Sequence, residues 1–317
     1  MPAGARTGPP ILAPAKINLT LGVLGGSGAD GYHELRGVFA RLVLADELAL
    51  SSIGEPSDDA GESLRAVPGS IAVDHPSDLI LRAAALVRAW AERPLPTLTI
   101  DVLKRIPIAA GLAGGSSDGV AALRLLAEAW RLEIPAPALA AMALGLGADA
   151  PFFLGASPVA LIGGRGERVE PLPAGIAGAG IVLVVVGGKP STGAVFDEHD
   201  RFVGDSTGSA SAATDLLVDA LRGGLTPRGL ADLAPQLREG NDLFPAALRL
   251  IPHLGETRRW VETALGRAAL LSGAGSTLFV VYPSAEDATG AGRRLEGALA
   301  ARPSRRPLII ATAIAGQ

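Results

Sequence analysis

The stretch Pro107-Ile-Ala-Ala-Gly-Leu-Ala-Gly-Gly-Ser-Ser117 concentrates glycine and serine just ahead of a helical pattern. Glycine lets backbone N–H groups approach an anion with no Cβ in the way. The start of the following helix adds unpaired N–H donors and a partial positive charge. Ser116 and Ser117 supply hydroxyls. This is the chemistry of a phosphate cradle. It is not a Walker A loop, because no Gly-Lys-Ser/Thr ends it, and Gly111-Leu-Ala-Gly-Gly lacks the G-x-G-x-x-G spacing of a dinucleotide fingerprint. A tight turn that caps a helix with serine would use the same residues, so the local sequence leaves both readings open.

Other residues are ambiguous singly. Lys16 and Asn18 share one face of an alternating run, where a lone lysine is ordinarily solvated. Asp149, between glycine and proline, sits where a helix cap would. Tyr32 and His33 stand out in a chain with two tyrosines and four histidines. An aromatic in a turn gives a stacking platform for a ring. Gly273-Ala-Gly275, flanked by Ser272 and Ser276, fits a second anion nest or a tight strand–turn–strand equally well. The four histidines lack metal-site spacing, and no G-x-S-x-G elbow occurs. With no cysteine, disulfides, thiolate metal sites and cysteine nucleophiles are excluded.

The elements that must hold these residues are read from periodicity. Ile17, Leu19, Leu21 and Val23 alternate with Lys16, Asn18, Thr20 and Gly22, which predicts a strand. Further strands are expected over 37–50, 98–102, 159–162, 181–186, 277–282 and 308–313. Helices are expected over 79–90, 137–146, 214–221, 228–237, 246–265 and 285–300. Val120, Leu123, Ala127 and Trp130 recur at helical spacing after the glycine loop. Residues 54–78 read as a loop-rich connection. With 317 residues, 48% of them hydrophobic, the chain can bury one large or two medium cores. A net charge of −4 without a basic stripe argues against nucleic-acid binding. The greasiest stretch, Ile181–Val186, is far shorter than the roughly 20 residues of a membrane span. No leader-type apolar region follows the first residues, so a cytoplasmic enzyme without a membrane partner is expected.

Four segments in order are diagnostic together: Pro14-Ala-Lys-Ile-Asn-Leu19, Asp30-Gly-Tyr-His-Glu-Leu35, Pro107–Asp118 and Leu146-Gly-Ala-Asp-Ala-Pro-Phe-Phe153. Matches continue at Gly164-Arg-Gly-Glu167, Ser191-Thr-Gly-Ala-Val-Phe196, Gly240-Asn-Asp-Leu243 and Leu271-Ser-Gly-Ala-Gly275. From about Ala13 to Tyr282 the chain resembles the GHMP kinase superfamily, in its branch acting on a cytidine diphosphate-linked tetritol of the non-mevalonate isoprenoid route. Homoserine and mevalonate kinases share the glycine loop but not the Asp-Gly-Tyr-His element. A silent ATP- and ligand-binding sensor would not need to keep both Lys16 and Asp149.

The resemblance implies an α/β (α+β) fold with two domains. Residues 10–160 would form an ATP-binding domain like the second domain of ribosomal protein S5, and 161–317 a ferredoxin-like domain. It implies Asp149 as the group taking the proton from the substrate hydroxyl and Lys16 as the cation beside it. Asn18 and His33 would hold the substrate, and Tyr32 and Phe196 would sandwich its cytosine ring. Pro107, Ile108, Ala109, Ala110, Gly111, Leu112, Ala113, Gly114, Gly115, Ser116 and Ser117 would line the ATP phosphates, with Lys104 towards the adenine. ATP is the implied co-substrate, with Mg²⁺ bridging its phosphates and Ser117 as a candidate contact. A monomer or homodimer is expected. Two positions depart from the family pattern: Ala113 stands in place of a third glycine, and Gly119 where alanine is common.

Overall fold

In the computed structural model, which describes residues 8–25, 33–57, 61–70, 78–188, 191–202, 209–299 and 306–316, the alternating N-terminal run forms β1 (Ile11–Asn18) and, after a break, β2 (Gly22–Leu24). By contacts the chain divides into two interlaced compact units. The first contains the described residues up to Ala15, Leu44–Ile108 and Ala113–Leu154; the second contains Lys16–Val43, Ala109–Leu112 and the chain from Gly155 onward. Where the resemblance implied a linear division at 160/161, the contacts change unit after Leu154 and at several earlier points. Lys16–Val43 and Ala109–Leu112, though N-terminal, pack with the second unit.

The first unit is built on the later part of the long strand β3 (Glu34–Ser57). From Glu47 to Ser57 this strand pairs antiparallel with β5 (Leu95–Leu103), with register shifts after Leu50 and Ile53. A short strand, β4 (Ser63–Ala66), lies parallel to β5. The expectation of loop over 54–78 therefore holds only in part. β4 is largely exposed and carries no apolar alternation. Its register is secured by Arg65, which donates Nε and Nη2 to the two oxygens of the opposed Asp101, each at 2.7 Å. Helix α1 (Asp78–Ala91) buries Ile80, Ala83, Ala84 and Val87, a stripe at i, i+3, i+4, i+7. It packs on α2 (Gly114–Ala129), which is buried on nearly every side. Two further helices, α3 (Ala136–Leu146) and α4 (Ala150–Leu154), pack on α2 and on each other.

In the second unit the early part of β3 pairs antiparallel with β2 and, over Leu35–Ala40, with β6 (Val159–Gly164). β6 in turn pairs with β7 (Arg168–Pro171). A separate antiparallel sheet contains β8 (Gly180–Val185), β9 (Leu270–Leu271), β10 (Thr277–Tyr282) and β11 (Leu308–Ala313), in the order β11-β8-β10-β9. β8 and β10 are buried almost throughout, which is why they read as unbroken apolar runs. The helices of this unit are α5 (Thr192–Phe202), α6 (Ser209–Arg222), α7 (Pro227–Leu233), α8 (Phe244–Leu250), α9 (Leu254–Leu265) and α10 (Ala285–Leu299), the last packed on β8 and β11. The single helix expected over 246–265 is in fact α8 and α9. Pro252 cannot continue the first, and His253, at φ 66°, turns the chain into the second. α5 and β7 were not anticipated.

Glu262 on α9 ties this unit together electrostatically. It accepts from Arg238 at 2.6 and 2.9 Å and from the Ala269 N–H at 3.2 Å. Partial burial pushes its carboxyl upward, but the Arg238 and Ala269 hydrogen bonds and the charges of Arg238 and Arg258 outweigh that and leave it lowered. A lowered folded-state value contributes stability above the unfolded carboxyl range, and the contribution is lost as pH falls through the folded value. Glu262→Gln should therefore be less stable than the parent at pH 7, with the difference shrinking below about pH 4 in urea titrations run across pH.

Candidate active site

In the second unit the alternation of β1 does not put Lys16 in solvent. Lys16 is 3% exposed and Asn18 2%. The Lys16 ammonium donates to Asn18 Oδ1 at 2.7 Å and lies 4.5 Å from the centre of the Phe39 ring. A buried ammonium is costly unless it is paired or hydrogen-bonded. Its retention among polar and aromatic partners marks it as more than a surface lysine. The adjacent main chain is glycine: a Cβ on Gly273 would lie 3.3 Å from Asn18 Oδ1 and 3.8 Å from Lys16 Nζ.

The second glycine cluster is the tight turn of a strand–turn–strand, joining β9 to its antiparallel partner β10. It backs the first cluster. Ser272 Oγ donates to the Gly111 carbonyl at 2.9 Å, and Thr277 donates to the Ala110 carbonyl through Oγ1 at 2.6 Å and through N at 3.2 Å. The Lys16 N–H donates to the Leu112 carbonyl at 3.0 Å. Gly111 has φ 80°, and a Cβ there would come within 2.6 Å of the carbonyl oxygens of Ser272 and Gly275. So Ala109–Leu112 is bolted by its carbonyls to the 272–277 turn. That turn is itself fixed by Asn241, whose Nδ2 donates to the Leu271 and Gly273 carbonyls at 3.0 and 2.9 Å. Asn241 lies within the Gly240–Leu243 match, which carried no assigned role; nothing local in the sequence could place it against residue 273.

Two of the expected substrate residues come together in the same unit. The His33 and Phe196 rings are 4.9 Å apart at 30°, and His33 Nε2 is 2.7 Å from Asp200 Oδ1. Phe196 and Asp200 both ride on α5, the helix that periodicity missed, because its sequence is polar apart from a few residues. Tyr32 lies outside the described residues.

In the first unit the loop feeds α2 through Ala113, which has φ 54° and ψ 30° and offers no side-chain cap. The first N–H groups of α2 are therefore not taken by a capping side chain, as an anion site requires. The departure from glycine at 113 carries a cost, since an L-residue in the left-handed region loses about 1–2 kcal/mol. Ala113→Gly should be more stable by about 1 kcal/mol in denaturant titrations, with the gain trimmed by the larger chain entropy of glycine. Gly114 is required by space, since a Cβ there would lie 2.9 Å from Ile106 Cγ2.

Ser117 is 1% exposed, and its Oγ has no hydrogen-bond partner among the described residues. The Gly147–Asp149 turn lies against the same helix start: a Cβ on Gly147 would be 3.6 Å from Ser116 Oγ. Asp149 is half-buried and directly precedes α4, whose last residues are tied to α2 by Arg124, donating to the Phe153 and Leu154 carbonyls at 3.1 and 2.8 Å. Lys104 lies against the same helix, through Asp118. It is 5% exposed, with its ammonium bonded to Asp46 and Asp118, both completely buried. The Asp118 carboxyl is raised to about 7: burial pushes it up, the Lys104 ammonium partly offsets that, and the Asp46 carboxylate adds to the rise.

The two-part α/β fold and its glycine–serine loop are those of a class of small-molecule kinases. The family model for the GHMP kinases N terminal domain matches residues 78–156, and that for the GHMP kinases C terminal domain matches 218–301. The chain is 39% identical to the 4-diphosphocytidyl-2-C-methyl-D-erythritol kinase of Nocardia farcinica, with 93% of this chain and 92% of that one covered. It is 38% identical to that of Salinispora tropica, covering 90% and 87%. A crystal structure of a 4-(cytidine 5'-diphospho)-2C-methyl-D-erythritol kinase superposes with TM-score 0.69 at 32% identity, over 98% of this chain and all (100%) of that one. The mevalonate kinase of L. major in complex with R-mevalonate, at TM-score 0.68 and 18% identity, shares the fold. The chain belongs to the 4-diphosphocytidyl-2-C-methyl-D-erythritol kinase family of the GHMP kinases.

Proposed function

We infer that the protein transfers the γ-phosphoryl group of ATP to the 2-hydroxyl of 4-diphosphocytidyl-2-C-methyl-D-erythritol, releasing ADP, in the cytoplasm where ATP is made. Residues 10–160 carry the nucleotide and 161–317 complete the enzyme. The observation that carries the reading is the buried Lys16 ammonium, held by Asn18, on a strand whose own N–H bonds the Leu112 carbonyl of the glycine loop.

Phosphoryl transfer has a loose transition state, so positioning and charge stabilisation dominate. The Pro107–Ser117 loop presents to the phosphates the main-chain N–H groups that follow Pro107. Asp149 accepts the proton of the 2-hydroxyl as that oxygen forms its bond to phosphorus and the bond to the ADP oxygen breaks. An ionised carboxylate is a weak base for an alcohol, so it takes the proton during attack rather than before it. Lys16 offsets charge at the attacking oxygen. Asn18 and His33 hold the tetritol nucleotide, and Phe196 and Tyr32 stack on its cytosine. The unpartnered Ser117 hydroxyl suits an oxygen-loving cation arriving with ATP. Bound Mg²⁺ spreads the negative charge of the β- and γ-phosphates.

A coupled ADP-release assay across alcohols tests this. The cytidylylated tetritol should give ADP, homoserine and mevalonate should not, and CDP should compete with the tetritol substrate but not with ATP. Comparable turnover with mevalonate or homoserine would refute the substrate assignment.

A further inference from the structure

The base of the glycine loop is closed by a charge cluster to which the reaction assigns no task. Lys104 follows β5 directly, two residues ahead of Ile106 and three ahead of the loop. Its ammonium bridges Asp46 on β3 and Asp118, the fifth residue of α2 and the first beyond the loop. The second oxygen of Asp46 accepts the main-chain N–H groups of Arg105 and Ile106, the latter at 2.8 Å. The Lys104 N–H donates to Ser70 Oγ at 3.0 Å. One buried carboxylate thus grips the chain entering the loop, and one buried ammonium links that carboxylate to the helix leaving it.

Two features argue that this cluster acts on the loop. First, Lys104 spends its ammonium on two buried carboxylates, and a cation so committed is poorly placed to bind phosphate or purine. Second, the loop needs holding. Ala109 and Ala113 both have positive φ, at 53° and 54°, and such conformations persist only where the surroundings over-determine them. Buried ion clusters are rarely the most stable way to fill a core, and their better-attested use is to specify one geometry.

We propose that Asp46, Lys104 and Asp118 form a positioning triad that fixes the spacing between the Arg105–Ile106 main chain and the first turns of α2, so that the phosphate loop is preorganised for ATP. Lys104 therefore serves nucleotide binding without touching the nucleotide. The proposal rests on the reading of Pro107–Ser117 as the ATP phosphate loop.

The test uses the full chain with Lys104→Met, Asp46→Asn and their double variant, measuring kcat, both KM values and melting temperature. Lys104→Met should raise the ATP KM about tenfold or more and move the KM of the cytidylylated alcohol by less than about twofold. Asp46→Asn should raise the ATP KM in the same way, and the double variant should be little worse than either, because the residues act as a unit. Lys104→Arg should restore part of the loss. If Asp46→Asn leaves the ATP KM at the parent value while Lys104→Met raises it, the lysine contacts nucleotide and the triad is wrong. Lowered melting temperatures with unchanged ATP KM would reduce the cluster to a structural role.

If these variants fail to fold, Asp118→Ala, which frees the α2 end of the Lys104 bridge and leaves the Asp46–Lys104 pair in place, is read in the same assay. An unchanged ATP KM there overturns the proposal. Gly111→Ala distorts the loop independently of the triad. Should it leave the ATP KM unchanged in folded protein, the loop reading itself falls, and the proposal with it; should it alone raise the ATP KM, only the triad falls.

Discussion

Asp149→Asn is expected to lower kcat by about 10²- to 10⁴-fold while ATP binds nearly as before. Asparagine keeps the size and the acceptor oxygen of the side chain, so the turn that begins with the Ala150 N–H bonding the Gly147 carbonyl should survive. What is lost is the capacity to take a proton from the attacking hydroxyl. The deficit should appear in single-turnover phosphoryl transfer at saturating ATP and alcohol, and not in equilibrium titration with a non-hydrolysable ATP analogue. Turnover within a few-fold of the parent would remove Asp149 from the chemistry and leave it as a helix-start residue. The Lys16→Met variant should share the kcat defect, since charge at the attacking oxygen would go unopposed.

Gly111→Ala is expected to raise the ATP KM by more than about tenfold and to destabilise the fold by about 2–4 kcal/mol. The added methyl meets two backbone carbonyl oxygens at 2.6 Å, at a residue with φ 80°. Neither oxygen sits on a side chain that can rotate away. The loop must move off the 272–277 turn, breaking the bonds from Ser272 Oγ and Thr277 Oγ1. The contrast with Ala113→Gly is informative. Both sites have positive φ in one loop, yet alanine at 113 costs only backbone strain, whereas alanine at 111 also collides. Denaturant titration and ATP kinetics on the two variants should move in opposite directions in stability. A Gly111→Ala protein with parental stability and ATP KM would contradict the packing described.

Much of the fold follows from periodicity. The apolar runs at Ile181–Val186 and 277–282 become β8 and β10, and the stripe of Ile80, Ala83, Ala84 and Val87 becomes the buried face of α1. Where periodicity fails, the element is held by something other than an apolar pattern. β4 is fixed by the Arg65–Asp101 pair across strands, and α5 is a largely polar helix. The break between α8 and α9 is a proline the expected helix ran through.

The sequence by itself determined the chemistry available: a glycine–serine loop before a helix, one candidate catalytic carboxylate, one candidate catalytic ammonium, and no thiol. These are properties of residue type and spacing, which fix backbone freedom, charge and local hydrogen-bonding capacity. Only the tertiary structure decided that Lys16 is buried against Asn18 and Phe39, that the 272–277 turn braces the loop, and that Lys104 faces Asp46 and Asp118. Each of these joins residues far apart in the chain or sets a side chain's burial. Solvation and pairing energies depend on what surrounds a group in space, which no local window of sequence contains.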